Sequence, residues 1–251
     1  VYYGMTHNFT GKKLFTTTVI PNRGAWLEYE TDQNDLFFVR IDKNRKIPIT
    51  TFIRALGLNS NNDIREFFGN DERIEATFEK DATRNMEEAL IEVYKKLRPG
   101  EPPTLSSAQS HLEGLFFDDH RYDLSRVGRY KYNKKLGLFN RLVGNAVAED
   151  VIDPNTGEIL AEKDQTVDKE LARQIENAGV EFVMVKSPAD DGKVTKVIGN
   201  QFVDIYIIMN GMKSFCSRHF GSFNNNFRHA LSTPSCKALA NFNIMQIIIH
   251  K

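Results

Sequence analysis

The sequence predicts an α+β fold of antiparallel strands with packed helices, and two observations carry that prediction. Residues 12–41 alternate strand-like stretches with turn chemistry, whereas 83–97 hold an apolar stripe at helical spacing. Sheet and helices are therefore segregated along the chain, without the regular strand–helix alternation of a parallel sheet.

Each element follows from local chemistry. Residues 13–20 are rich in Thr, Val and Phe and read as a strand. Pro21-Asn22-Arg23-Gly24 reads as a turn, because Pro presets φ and Gly accepts a positive φ. In 26–31, Trp26, Glu28 and Glu30 alternate with Leu27 and Tyr29, the mark of a half-buried strand. Asp32-Gln33-Asn34-Asp35 turns the chain again, and 36–41 form a third strand. Strands joined this closely pair antiparallel. Residues 50–56 and 62–68 read as short helices, each followed by a C-cap glycine, Gly57 and Gly69. In 83–97, Met86, Ala89, Leu90, Val93, Tyr94 and Leu97 share one face; Thr83 is placed to cap it, and Pro99-Gly100-Glu101-Pro102-Pro103 ends it. A further helix is expected over 105–116. Residues 146–152 and 158–161 flank a Pro154–Gly157 turn and read as a hairpin. Residues 168–178 form a helix with Leu171 and Ile175 on one face and Gly179 after it, and 180–185 a strand.

Composition bounds the function. The 251 residues suffice for one large domain or two smaller ones. Two cysteines exclude a disulfide scaffold and fit a reducing compartment. No run reaches the ~18 apolar residues of a membrane span, so no membrane partner is expected. The start at Val1, without a Met or a signal peptide, leads us to expect a chain that begins inside a longer protein. The 33 basic and 33 acidic residues balance only in sum. Every acid lies at or before Asp204, while Lys213, Arg218, Arg228, Lys237 and Lys251 follow it. The body is thus net −5 and the tail +5. A break this sharp marks a boundary, taken here between 1–205 and 206–251.

Catalytic motifs are absent: no phosphate-binding glycine loop, no Gly-x-Ser-x-Gly and no His-Glu-x-x-His. The pairs Glu87-Glu88 and Asp118-Asp119 read as solvated surface, since adjacent acids point apart. Cys216, His219, His229 and Cys236 offer zinc-ligand atoms, but their spacing fits no standard finger. In 121–135, Arg121, Arg126, Arg129, Lys131, Lys134 and Lys135 interleave with Tyr122, Tyr130 and Tyr132. Such a stretch either contacts phosphates and stacks on bases or is a charged surface over half-buried tyrosines. Trp26, the sole tryptophan, is either core packing or an exposed ring free to stack on a base.

Three long stretches, in order, carry a resemblance: Ile20-Pro21-Asn22-Arg23-Gly24-Ala25-Trp26-Leu27-Glu28 with Leu36-Phe37-Phe38-Val39-Arg40-Ile41-Asp42 and the basic Lys43-Asn44-Arg45-Lys46; Leu97-Arg98-Pro99-Gly100-Glu101-Pro102-Pro103-Thr104; and Arg121-Tyr122-Asp123-Leu124-Ser125-Arg126-Val127-Gly128-Arg129-Tyr130-Lys131-Tyr132-Asn133. Together they resemble the lobe region of the β subunit of bacterial DNA-directed RNA polymerase, in its compact Gram-positive form. The resemblance covers about 1–205 and implies a lobe-type fold.

It also implies a role. The lobe forms one wall of the polymerase cleft, over downstream duplex and the melted non-template strand. Trp26 would stack on a non-template base, and Asp42 would lie in a pocket that prefers guanine. With Arg23 and Arg40 these are the DNA-binding residues that the resemblance implies. An indole face stacks on any base for ~1–3 kcal/mol, and a carboxylate accepts from guanine's Watson–Crick N–H groups. The implied partners are DNA, the β′ and α subunits and sigma factor, in the cytoplasm. The nucleotidyltransferase chemistry and its magnesium belong to β′, so neither catalytic residues nor a cofactor are expected on this chain. Two departures stand out. Relatives carry Arg-Ser-Pro-Gly before Val1 and continue past Asp204 through Asp-His-Leu-Gly-Asn-Arg-Arg. The tail from Tyr206 matches nothing in the family and is expected to arise from a frameshift, a truncated gene or an assembly error. The alternative roles are a docking module for transcription factors, with the acidic helix around Met86–Glu92 as its face, and a non-functional truncated product.

Overall fold

The computed structural model describes residues 1–118, 120–186 and 193–199. They divide into two compact units, 1–128 and 129–199.

In the first unit, β1 (Tyr2–His7), β2 (Lys13–Val19), β3 (Leu27–Thr31), β4 (Phe37–Ile41) and β5 (Ile47–Pro48) form one antiparallel sheet in chain order. Val19 pairs with Leu27, Leu27 with Ile41, and Tyr29 with Val39. All five are buried, while Thr18, Glu28 and Arg40 of the intervening register are only partly covered. The period-2 alternation read from the sequence is therefore the burial pattern of the sheet.

The helices α1 (Ile49–Ala55), α2 (Asn61–Phe68), α3 (Glu72–Phe78), α4 (Met86–Leu97) and α5 (Leu105–Phe116) follow. Every residue of α1 is buried. Ser60 and Asp63 form a capping box on α2, and Gly69 closes it at φ 82°. The C-cap of α1 is Leu56, in ordinary helical geometry, and Gly57 follows at φ 128°. The cap expected at Thr83 is corrected: α4 starts at Met86 and Asn85 caps it, accepting from the Glu88 N–H at 2.9 Å. Thr83 serves Asp81 instead, its N–H donating at 2.9 Å and its Oγ1 at 2.6 Å. The stripe of α4 buries Ala89, Leu90, Val93 and Tyr94. Phe52 of α1 meets Phe116 of α5 edge-on at 5.9 Å, and Phe116 meets Tyr122 at 5.8 Å.

A buried polar knot joins these helices. Arg54 Nε donates to Asp81 Oδ2 at 3.1 Å, with only 4% and 1% of the two side chains exposed. Arg54 also donates to the carbonyl of Asn59 at 3.0 Å and to Asn61 Oδ1, and Thr51 Oγ1 donates to Asp81 at 2.8 Å. One cation thus binds α1, the α1–α2 connection and the approach to α4.

The helix α6 (Ser125–Leu136) crosses the sequence boundary between the units. In the second unit come α7 (Leu138–Leu142), β6 (Ala146–Val147), β7 (Val151–Ile152), β8 (Ile159–Ala161), α8 (Lys169–Ala178), β9 (Phe182–Lys186) and β10 (Val194–Ile198). The expected hairpin of 146–152 with 158–161 is half right. Val151 pairs with Ala161, but Val147 pairs with Val185, so the stretch divides between two sheets. The Ala148 N–H already donates to the Met184 carbonyl at 2.7 Å, and Asp150 Oδ1 takes the Lys163 N–H at 2.7 Å. Asp168 caps α8, and Gly179 ends it in the left-handed region at φ 81°. Leu142, Val147, Ala172, Ile175 and Val183 centre this unit's core, with Leu171 packed against it.

Asp204, the tail 206–251 and the four zinc-type residues Cys216, His219, His229 and Cys236 lie outside the described residues.

Candidate nucleic-acid interface

The turn at 21–24 is held from the far end of the first unit. The Arg23 N–H donates to the Asp123 carbonyl at 3.0 Å, and the Asp123 N–H to the Arg23 carbonyl at 2.8 Å. Gly24 has φ 114° and lies so close to the partner segment that a Cβ would stand 2.6 Å from Tyr122 Cδ2 and 2.9 Å from the Arg121 carbonyl. Only glycine fits both the angle and the space.

Trp26 follows, between buried Ala25 and Leu27, with 46% of its own surface exposed. Its carbonyl accepts from the Asp42 N–H at 2.8 Å, and its N–H donates to Asp42 Oδ1 at 2.8 Å. Asp42 stands at φ 54°, in the left-handed region that Asp tolerates better than most residues. Of the two readings open for Trp26, the structure selects the exposed ring, and it fixes the peptide beneath it.

The other implied residues divide. Arg23 is exposed beside Gly24. Arg40 donates to Glu30 Oε1 at 3.3 Å, an oxygen that Lys46 also approaches at 3.7 Å, so its charge is already shared. The ammonium of Lys46 sits 4.4 Å above the Phe38 ring. The structure thus joins Trp26 to Asp42 directly, and ties Arg40 to Glu30.

The basic stretch resolves tyrosine by tyrosine. Tyr122 is fully buried against Phe116, whereas Tyr130 is 68% exposed beside exposed Arg126, Lys131 and Lys134. The side chains of Arg129, Tyr132 and Lys135 lie outside the described set. Arg121 pairs with Asp118 at 3.3 Å.

Sequence reasoning missed one cluster. Tyr94 Oη donates to Glu101 Oε2 at 2.6 Å and Arg98 Nη1 to Glu101 Oε1 at 2.9 Å, while His111 stands edge-on to Tyr94 at 5.7 Å. The Tyr94 hydroxyl and then the Arg98 guanidinium hold the Glu101 carboxyl below its usual range. Burial, then Arg98, holds His111 below the usual imidazole value. This cluster fixes the proline-rich loop after α4. Its signal was a tyrosine followed seven residues later by a glutamate, with no periodicity to mark it.

Among the described residues, no group of three His, Cys, Asp or Glu side chains is placed to hold a metal ion. No helix among them is long and apolar enough to cross a membrane.

Comparison with known proteins defines the class of the chain. Residues 1–151 match the model of RNA polymerase Rpb2, domain 2, and the chain belongs to that family. It is 58% identical over 205 residues to the DNA-directed RNA polymerase subunit beta of Clostridium novyi (strain NT), spanning 82% of this chain and 16% of that subunit. The same subunit of Clostridium botulinum (strain Loch Maree / Type A3) is 58% identical over 83% of the chain, and that of Alkaliphilus oremlandii (strain OhILAs) 55% over 82%. The chain spans 16–17% of the length of these relatives. The resemblance drawn from the three motifs and the α+β class are both borne out.

Proposed function

We propose that this chain acts as the lobe of the β subunit of a DNA-dependent RNA polymerase, the nucleotidyltransferase that transcribes DNA into RNA. Its role is positional. It forms a wall of the cleft and holds downstream DNA and the separated non-template strand, while β′ supplies the metals and the chemistry. Assembly with β′, α and sigma factor in the cytoplasm belongs to the same reading. Family membership and the names of the relatives support it. The single observation that carries the DNA contact is Trp26, a half-exposed indole on a peptide fixed from both sides.

Trp26 stacks on an unpaired base, and Arg23 offers its charge to a nearby phosphate. Asp42 faces a guanine edge with the oxygen that Trp26 leaves unused. Arg40 contributes least, since it must leave Glu30 to reach DNA.

The test is Trp26→Ala in the whole polymerase. Loss of one stack, ~1–3 kcal/mol, shortens the open-complex lifetime by roughly 5-fold to 150-fold. Phosphodiester formation on short pre-melted templates continues. A variant that loses all chemistry on such templates contradicts the positional role.

A further inference from the structure

We propose that Asp42 is a positioning residue, whose carboxylate holds the Trp26 peptide and thereby sets the indole for stacking. The inference rests on the stacking reading above and adds a role that base recognition does not supply.

Trp26 and Asp42 stand opposite one another, one step beyond the Leu27–Ile41 pair that ends the β3–β4 ladder. A regular ladder would have the two residues exchange both backbone hydrogen bonds. Only one is made in that way, from the Asp42 N–H to the Trp26 carbonyl. At φ 54° the backbone of Asp42 has left the strand, and its side chain supplies the second acceptor, Oδ1 at 2.8 Å from the Trp26 nitrogen. The residue type follows from two demands at one position. The backbone must enter the left-handed region, and a short side chain must bring an acceptor back to the neighbouring strand. Asp and Asn meet both. Gly meets the first alone, and Glu is poorly suited to either.

Asparagine separates this role from guanine reading. Its Oδ1 can accept from the Trp26 N–H as aspartate does. Its other terminus is then an NH2 donor, where a guanine-reading carboxylate must accept.

The full chain contains one tryptophan, so its intrinsic fluorescence reports on residue 26 alone. We would measure emission anisotropy and acrylamide quenching without DNA, then quenching by a mixed-sequence single-stranded oligonucleotide, for wild type, Asp42→Gly and Asp42→Asn. Glycine suits φ 54°, so Asp42→Gly removes the acceptor without straining the backbone. Asp42→Gly should lower the anisotropy, raise acrylamide quenching about twofold and weaken oligonucleotide binding about tenfold, as the loss of a charge-assisted hydrogen bond suggests. Asp42→Asn keeps the acceptor for the Trp26 N–H and should stay close to wild type in the two DNA-free measurements, anisotropy and acrylamide quenching. The proposal is overturned if Asp42→Gly leaves the indole as ordered as before, or if Asp42→Asn loosens it as much as Asp42→Gly does. Asp42→Asn decides the matter alone should the glycine variant not fold. If the oligonucleotide does not quench even wild-type Trp26, the stacking reading fails. The DNA-free measurements then still judge the hold of Asp42 on Trp26.

Discussion

Removing the carboxylate of Asp81 is the sharpest test of what holds the helices together. Asp81→Ala deletes the acceptor of four hydrogen bonds: from Thr51 Oγ1 at 2.8 Å, the Thr83 N–H at 2.9 Å, Thr83 Oγ1 at 2.6 Å and Arg54 Nε at 3.1 Å. It leaves a guanidinium with 4% of its side chain exposed and no carboxylate beside it. Breaking a buried pair from one side costs ~3–5 kcal/mol. Arg54 keeps Asn59 and Asn61, which places the loss near ~3 kcal/mol, the lower end of that range. At a urea m-value of about 2 kcal/mol per molar, the midpoint moves down by about 1.5 M. Trp26 fluorescence is the proper probe. It lies in the unit of residues 1–128, to which Arg54 and Asp81 also belong. Asp81→Ala combined with Arg54→Met should cost less than the sum of the two, because the second change removes the stranded charge. A midpoint for Asp81→Ala within about 0.3 M of wild type would refute the reasoning.

The remaining expectations use the same chain and probe. Burial raises the Asp81 carboxyl, but the surrounding threonines, Thr83 first and then Thr50 and Thr51, outweigh it and hold the group below its usual range. A group lowered on folding contributes stability that is present above its unfolded value, about 3.9, and lost as pH falls through the folded one. The midpoint should therefore begin to fall as pH drops below about 5 and go on falling through the folded value, and Asp81→Asn should flatten that drop; equal slopes would count against the assignment. Gly24→Ala places a methyl 2.6 Å from Tyr122 at φ 114°, and should cost about 2 kcal/mol or more and increase acrylamide quenching of Trp26. An unchanged midpoint and emission would mean that the turn yields freely. Asn85→Ala should cost ~1 kcal/mol through its lost cap, and no change in midpoint would place the cap elsewhere.

What the sequence discloses depends on whether a neighbour in the chain or a distant partner decides. The strands β2 to β4 were legible because one face of each is buried and the turns between them carry Pro, Gly, Asn and Asp. β1 was not, since it lies mostly exposed with Gly4 inside it. α3 escaped notice because only Ile74 and Thr77 are buried, too few for a stripe. Both Val147 and Val151 suit a strand, and only the separate partners Val185 and Ala161 divide them. Thr83 and Asn85 are both residues that cap helices, and Asp81 takes the Thr83 hydroxyl while Asn85 caps α4. At the site, Trp26 and Asp42 were found through resemblance, whereas their contact needs the β3–β4 register and a left-handed residue. Neither is written in a local pattern.

The bridge from Arg23 to Asp123 sets an order of events during synthesis. Its two residues are about a hundred positions apart, and at roughly 5–20 residues per second the ribosome needs about 5–20 s to pass from one to the other. Closing so long a loop from an unfolded chain costs about 4 kcal/mol in entropy, beyond a constant term. Prior docking of β2 to β4 and α1 to α5 shortens the free path and relieves most of that cost. The seat of Trp26 is therefore finished late. Until Tyr122 arrives over Gly24, the nascent chain carries the ring on an unsealed turn, and a ribosome stalled before Asp123 leaves a sheet whose Trp26 peptide has only the grip of Asp42.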